Sequence, residues 1–169
     1  MARDREIRAF DYVNRPYESV RDALRADALE IVRSATQAAA SRADAVAAGL
    51  HVNIAGIKIG AEIDLRIEDM VEDMGETHAG KALHVSLEWE AAKAARLFPL
   101  MRGRLSVYPL SGTETQLDFH GRYEPPLGAV GTALDAMVGH RIAEASVHRF
   151  ITDVATWLRQ NPNRRDQRS

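Results

Sequence analysis

The chain has 169 residues, 46% hydrophobic and 27% charged, with a net charge of −2 and no cysteine. This composition fits one globular domain, argues against disorder outside the ends and gives no bulk attraction for nucleic acid; the lack of cysteine excludes disulfides, thiolate metal sites and cysteine nucleophiles. No apolar run approaches the ~18 residues needed to span a bilayer. The opening MARDREIRAF is charged and has no apolar segment, so neither a secretory signal nor stable membrane insertion is expected, and a cytoplasmic setting is.

Glu6 to Val13 alternates, with Ile7, Ala9 and Asp11 on one face and Phe10 and Tyr12 on the other. It predicts a short strand. Pro16 suits a first helical position after Asn14 or Arg15. The alanine-rich stretch from Ala23 to Ala48 predicts helix, striped by Leu24, Ala28, Ile31, Ala35 and Ala38. A break near Ala26 and Asp27 divides it into two helices, and Gly49 stops it. LHVNI, residues 50–54, predicts a strand. From Ile57 to Asp73 the alternation is the longest in the chain, with Ile63, Leu65 and Ile67 opposite Asp64, Arg66 and Glu68. That pattern belongs to a half-buried antiparallel strand. Asp69, Glu72 and Asp73 at its end read as a solvated edge that discourages sheet-to-sheet aggregation.

After the turn MGETHAGK, Leu83, Val85, Leu87 and Trp89 face inward and His84, Ser86, Glu88 and Glu90 outward. Met101, Leu105 and Val107 repeat the inward pattern, and so do Leu117, Phe119 and Tyr123 beyond the turn SGTE. From Leu127 to Arg159 apolar residues fall at helical spacing: Val130, Leu134, Val138 and Ile142, then Phe150, Val154 and Leu158. Asn161 and Pro162 end that helix. Its start holds Gly128, Gly131 and Gly139, each costing a helix about 1 kcal/mol relative to alanine. Small residues there are expected to make room for sheet backbone or ligand, with Pro125-Pro126 setting the turn. The predicted fold class is α+β: about six antiparallel strands, two helices between the first and second, and a long terminal helix covering the apolar face. Residues 1–162 are expected to form a single domain, and 163–169 a basic tail.

His140, Glu144 and His148 stand at i, i+4 and i+8, which brings successive members within reach. A metal site or a proton shuttle is the sharp reading. The two histidines drift around the helix and no HExxH occurs, so a polar helix face is preferred, and no metal or cofactor is expected. The inward faces are almost wholly aliphatic. Tyr108, Tyr123, His84, His120, Arg102 and Arg104 supply polar groups to the interior only if a bulge shifts the register. Ser34, Ser41, Ser106 and Ser146 lie in no GxSxG context. The helix LEIVRSATQAAASRADAVAAGL carries both signs of charge on its polar face, unlike an interfacial helix. It is expected to pack on the sheet ends or on another subunit, which leaves a homodimer open.

The order of elements resembles the helix-grip superfamily, called SRPBCC or START-like and related to the birch pollen allergen and to polyketide cyclases. So do GRYEPPLGAVGTALD, Gly121 to Asp135, and GHRIAEASVHRFITDVATWL, Gly139 to Leu158. The resemblance implies a curved sheet gripping the terminal helix around an apolar cavity. It implies lipids, sterols, isoprenoid quinones or polyketides as ligands. The glycine-rich loop of allergen-like members is matched only by AGIKIGAE, too sparse to cradle phosphate. The expected cavity wall is Ile63 and Leu65, then Val85, Leu87 and Trp89, then Met101 and Leu105. Leu117, Phe119 and Tyr123 continue it, and Leu134, Val138 and Ile142 line it from the helix. The preferred function is binding or transport of a hydrophobic small molecule without catalysis, because no acid–base pair is evident inside. The alternatives are a polyketide cyclase or dehydratase-like enzyme, and a partner-binding module whose early helices form a homodimer face.

Overall fold

Period-two alternation becomes strand wherever one face can be covered, and the order of strands and helices decides what covers it. The computed structural model describes residues 5–49, 63–75, 80–91, 101–123 and 136–161. They form β1 (Arg5–Val13), α1 (Tyr17–Gly49), β2 (Ile63–Met74), β3 (Lys81–Ala91), β4 (Met101–Pro109), β5 (Thr115–Tyr123) and α2 (Ala136–Gln160). The strands make one antiparallel sheet in the order β1-β5-β4-β3-β2. The described residues therefore hold five strands against the six or so expected. The predicted strand at 50–54, the Pro125-Pro126 junction, Gly128 and Gly131, and the tail lie outside them.

α1 is broken at Asp27, whose φ of −129° and ψ of 23° are non-helical, where the sequence places a break. α2 packs on β1 and β5, and α1 packs chiefly on α2. The core lies between helices and sheet. Leu83, Val85, Leu105, Val107 and Leu117 from the strands meet Ile31 and Val32 of α1 and Ile151 and Val154 of α2, all fully buried.

The register is unbroken along β3, β4 and β5, and β2 alone is bulged, between Ile67 and Asp69. Before the bulge Leu65 and Ile67 face the helices. After it Met70 pairs with Val85 and Glu72 with Leu83, both partners being inward residues. A bulge inverts which residues face inward. Glu72 is consequently drawn inside, its side chain only 10% exposed, which corrects its expected role as part of a solvated edge. Tyr17 donates its hydroxyl to Glu72 Oε1 at 3.1 Å. Arg25 reaches Oε2 at 2.5 Å, and Arg21 reaches Oε1 at 3.4 Å. Lys81 sits over the Tyr17 ring and pairs with Glu18 at 3.0 Å. The start of α1 is thus clamped onto the β2–β3 hairpin at one end of the sheet.

Two glycines flatten the middle of the inner face. Gly103 and Gly121 are paired in register between β4 and β5, and the Phe119 ring lies across both. A Cβ at Gly103 would come within 2.2 Å of the Phe119 ring, and one at Gly121 within 2.8 Å. Phe119 in turn meets Trp89 at 5.7 Å and Phe150 at 5.5 Å between ring centroids, and Trp89 meets Phe150 at 5.3 Å. The Trp89 indole N–H donates to Thr36 Oγ1 at 2.9 Å, so both helices are fastened to this aromatic group.

Two outcomes follow from these contacts. Gly103→Ala overpacks the Phe119 seat and lowers stability by about 1–3 kcal/mol, and adding Phe119→Leu returns part of the loss; urea denaturation of the single and double variants measures both. Burial first, and the Glu72 hydrogen bond second, push the Tyr17 hydroxyl from 10.0 up to about 12. A raised folded value means that the stabilisation is complete below pH 10 and is lost as pH rises toward 12. The stability margin of wild type over Tyr17→Phe therefore shrinks across that window, read from urea midpoints at successive pH values.

Candidate functional site

At the end of the sheet opposite the Glu72 clamp, one register row crosses four strands: Leu65, Trp89, Met101 and Tyr123. All four share the inner face. Trp89 and Tyr123 are buried, whereas Leu65 and Met101 are only partly covered. The first described turns of α2 meet the row at its Tyr123 end. His140, Ala143 and Val147 follow at i, i+3 and i+7, the spacing of one helix face; Ala143 and Val147 pack into the core.

The polar part of this end comes from one strand terminus and one helix. Tyr123, 4% exposed, has its hydroxyl 3.0 Å from Nδ1 of His140. The two rings stack at 6.3 Å and 25°. The other ring nitrogen, Nε2, lies 3.3 Å from Glu144 Oε1. A Tyr123 hydroxyl that donates to Nδ1 corresponds to the tautomer with the proton on Nε2, the nitrogen beside the Glu144 carboxylate, which can only accept. Exposure rises along the chain of contacts, from Tyr123 through the His140 side chain at 36% to Glu144 at 57%. Arg5 stands opposite Tyr123 on β1.

The sequence placed His140 and Glu144 on a polar helix face, and their i, i+4 contact is present. It did not bring Tyr123 to them. The one available signal was a tyrosine closing the inner face of the last strand, followed by a histidine at the start of the helix that covers that strand. His148 is exposed and takes no part. Among the described residues no group of three His, Asp or Glu side chains is arranged to hold a metal ion. Arg102 and Arg104 are exposed as expected. The unbroken register keeps Tyr108, His84 and His120 outward as well, with His84 Nδ1 against Ser106 Oγ at 2.8 Å and His120 near Glu6 at 3.6 Å.

The remaining residues expected to line a cavity divide by place. Val85, Leu87, Leu105, Leu117 and Phe119 are fully buried in the packed core. Ile142 is half-buried but lies about 200° around the helix from His140, off the face that carries Ala143 and Val147. Leu134 lies outside the described residues, as do the side chains of Ile63 and Val138. Among the described residues no helix is long and apolar enough to cross a membrane.

No protein-family model and no curated protein matches the chain. Solved structures do. The ZhuI aromatase/cyclase from Streptomyces sp. R1128 superposes with a TM-score of 0.51 at 12% identity, over 94% of this chain and 95% of its own. A conserved protein from Geobacillus kaustophilus superposes at 0.50 with 12% identity, over 94% and 98%. A START superfamily protein from Mycobacterium smegmatis is less close, at 0.47 and 10% identity over 92% and 97%. The five-stranded antiparallel sheet with its two helices thus shares the fold of the aromatase/cyclase and of the Geobacillus protein, the helix-grip fold that the order of elements resembles.

Proposed function

We propose that the chain binds a hydrophobic small molecule, of the lipid, isoprenoid or polyketide-like class, between the sheet and the gripped helix α2. The observation that carries this reading is the register row Leu65–Trp89–Met101–Tyr123. Leu65 and Met101 keep apolar surface uncovered, and the buried Tyr123 hydroxyl stands at the end of the row. Ligand sites are mostly apolar walls with a few polar groups that orient the molecule, and this end of the sheet has both parts. Each Å² of apolar surface removed from water contributes about 25 cal/mol, so Leu65, Met101 and their neighbours supply affinity and Tyr123 supplies orientation. The fold shared with an aromatase/cyclase is compatible with such a ligand but does not choose it, since function resides in the site.

A second reading, a polyketide cyclase or dehydratase-like enzyme, is favoured by one observation: the Tyr123–His140–Glu144 contacts supply the acid–base group that the sequence does not reveal.

Native mass spectrometry of the protein purified from its own host tests the binding reading. A bound organic mass that solvent extraction removes is expected, and Met101→Trp, which fills the uncovered part of the row, abolishes it. A bare protein mass from the host, together with no uptake of apolar compounds afterwards, would overturn the reading.

A further inference from the structure

We propose that Tyr123, His140 and Glu144 form a proton relay that enolises an apolar ketone held against Leu65 and Met101. The proposal rests on the ligand-binding reading above and adds a reaction to it.

A buried phenol needs a hydrogen-bond partner, and any carbonyl or hydroxyl would satisfy it. Tyr123 instead has an imidazole whose far nitrogen is tied to a carboxylate at the surface. The series runs from a buried oxygen on the inner face to a group in water, which is the layout a proton path requires. Tyr17 shows the contrast. Its hydroxyl faces the Glu72 carboxylate directly, and Arg21 and Arg25 occupy that carboxylate, so its phenol is locked in the protonated form. Tyr123 faces a nitrogen lone pair, which can accept its proton. The outward histidines His84 and His120 contact Ser106 and Glu6 on the opposite face of the sheet and reach no inner-face hydroxyl.

The step balances without oxidant, metal or cofactor. A C–H bond beside the ketone breaks, and its electron pair becomes the C=C bond of the enolate as the carbonyl π pair moves to oxygen. The proton passes to the Tyr123 oxygen while the phenolic proton moves to His140 Nδ1. The resulting imidazolium stays paired with Glu144, and the reverse transfer reprotonates carbon. Tyr123 and His140 are the catalytic residues; Glu144 is a positioning residue that fixes the tautomer. Such acid–base assistance is worth typically 10²–10⁴-fold.

The probe is 2-tetralone, an apolar ketone with slowly exchanging C–H bonds beside its carbonyl. Deuterium uptake in D₂O is followed by proton NMR, and binding is measured separately by calorimetry. Wild type is expected to bind it and to raise the exchange rate about 10²-fold or more over buffer. Tyr123→Phe and His140→Ala lose that acceleration, while His84→Gln, on the outer face, keeps it. Added imidazole restores exchange to His140→Ala beyond its effect on buffer, a response that a purely structural histidine would not give. Glu144→Gln lowers kcat and leaves KM in place. Binding with exchange at the buffer rate overturns the relay and leaves the binding reading standing. Neither binding nor exchange overturns both. Acceleration that survives in Tyr123→Phe and His140→Ala overturns the relay alone.

Discussion

The contact among Trp89, Phe119 and Phe150 is the point on which the rest of the molecule depends. It joins β3, β5 and α2 through edge-to-face and tilted ring contacts, and the Trp89 indole extends the connection to Thr36 on α1. Aromatic pairs of this kind are worth about 0.5–1.5 kcal/mol each beyond the area they bury. The three rings fit only because Gly103 and Gly121 leave the inner face flat beneath Phe119. Glycine weakens a strand in isolation, and here its missing side chain is the space that the ring occupies.

That plug divides the inner face into two ends of different character. Toward the start of α1, the bulge in β2 turns Glu72 inward, where Tyr17, Arg21 and Arg25 saturate it. Among the described residues, Tyr17, Arg21, Arg25 and Glu72 hold one another there. Toward the start of α2 the inner row finishes in partly covered Leu65 and Met101, and its polar group is a hydroxyl joined through an imidazole to the surface. The Tyr123–His140–Glu144 contacts lie at the end where Leu65 and Met101 are only partly covered.

Much of the fold was legible because the signals were local. Alternation gave the five described strands and their inner faces, except in β2 beyond its bulge. The non-helical Asp27 fell where the helical stretch was expected to break. The buried cavity candidates Val85, Leu87, Leu105, Leu117 and Phe119 were rightly placed on the inner face, but alternation cannot separate a cavity wall from a packed core, since both demand the same residues. The bulge was not legible. Apolar alternation ends at Ile67, and in the acidic run that follows an extra residue leaves no mark on the pattern, so Glu72 looked like part of an exposed edge. The Tyr123–His140 contact was hidden for another reason: it depends on how α2 lies across β5, a tertiary fact that no spacing along either element encodes.

The central claim is that a ligand occupies the inner face at the α2 end of the sheet. The most direct measurement is NMR of methyl- and indole-labelled protein titrated with the apolar dye anilinonaphthalene sulfonate. The account predicts saturable shifts of the Leu65 and Met101 methyls and the Trp89 indole. Shifts confined to the methyls of Leu29, Val71, Met74 and Leu110, whose side chains are exposed, would contradict it, as would no shift at all.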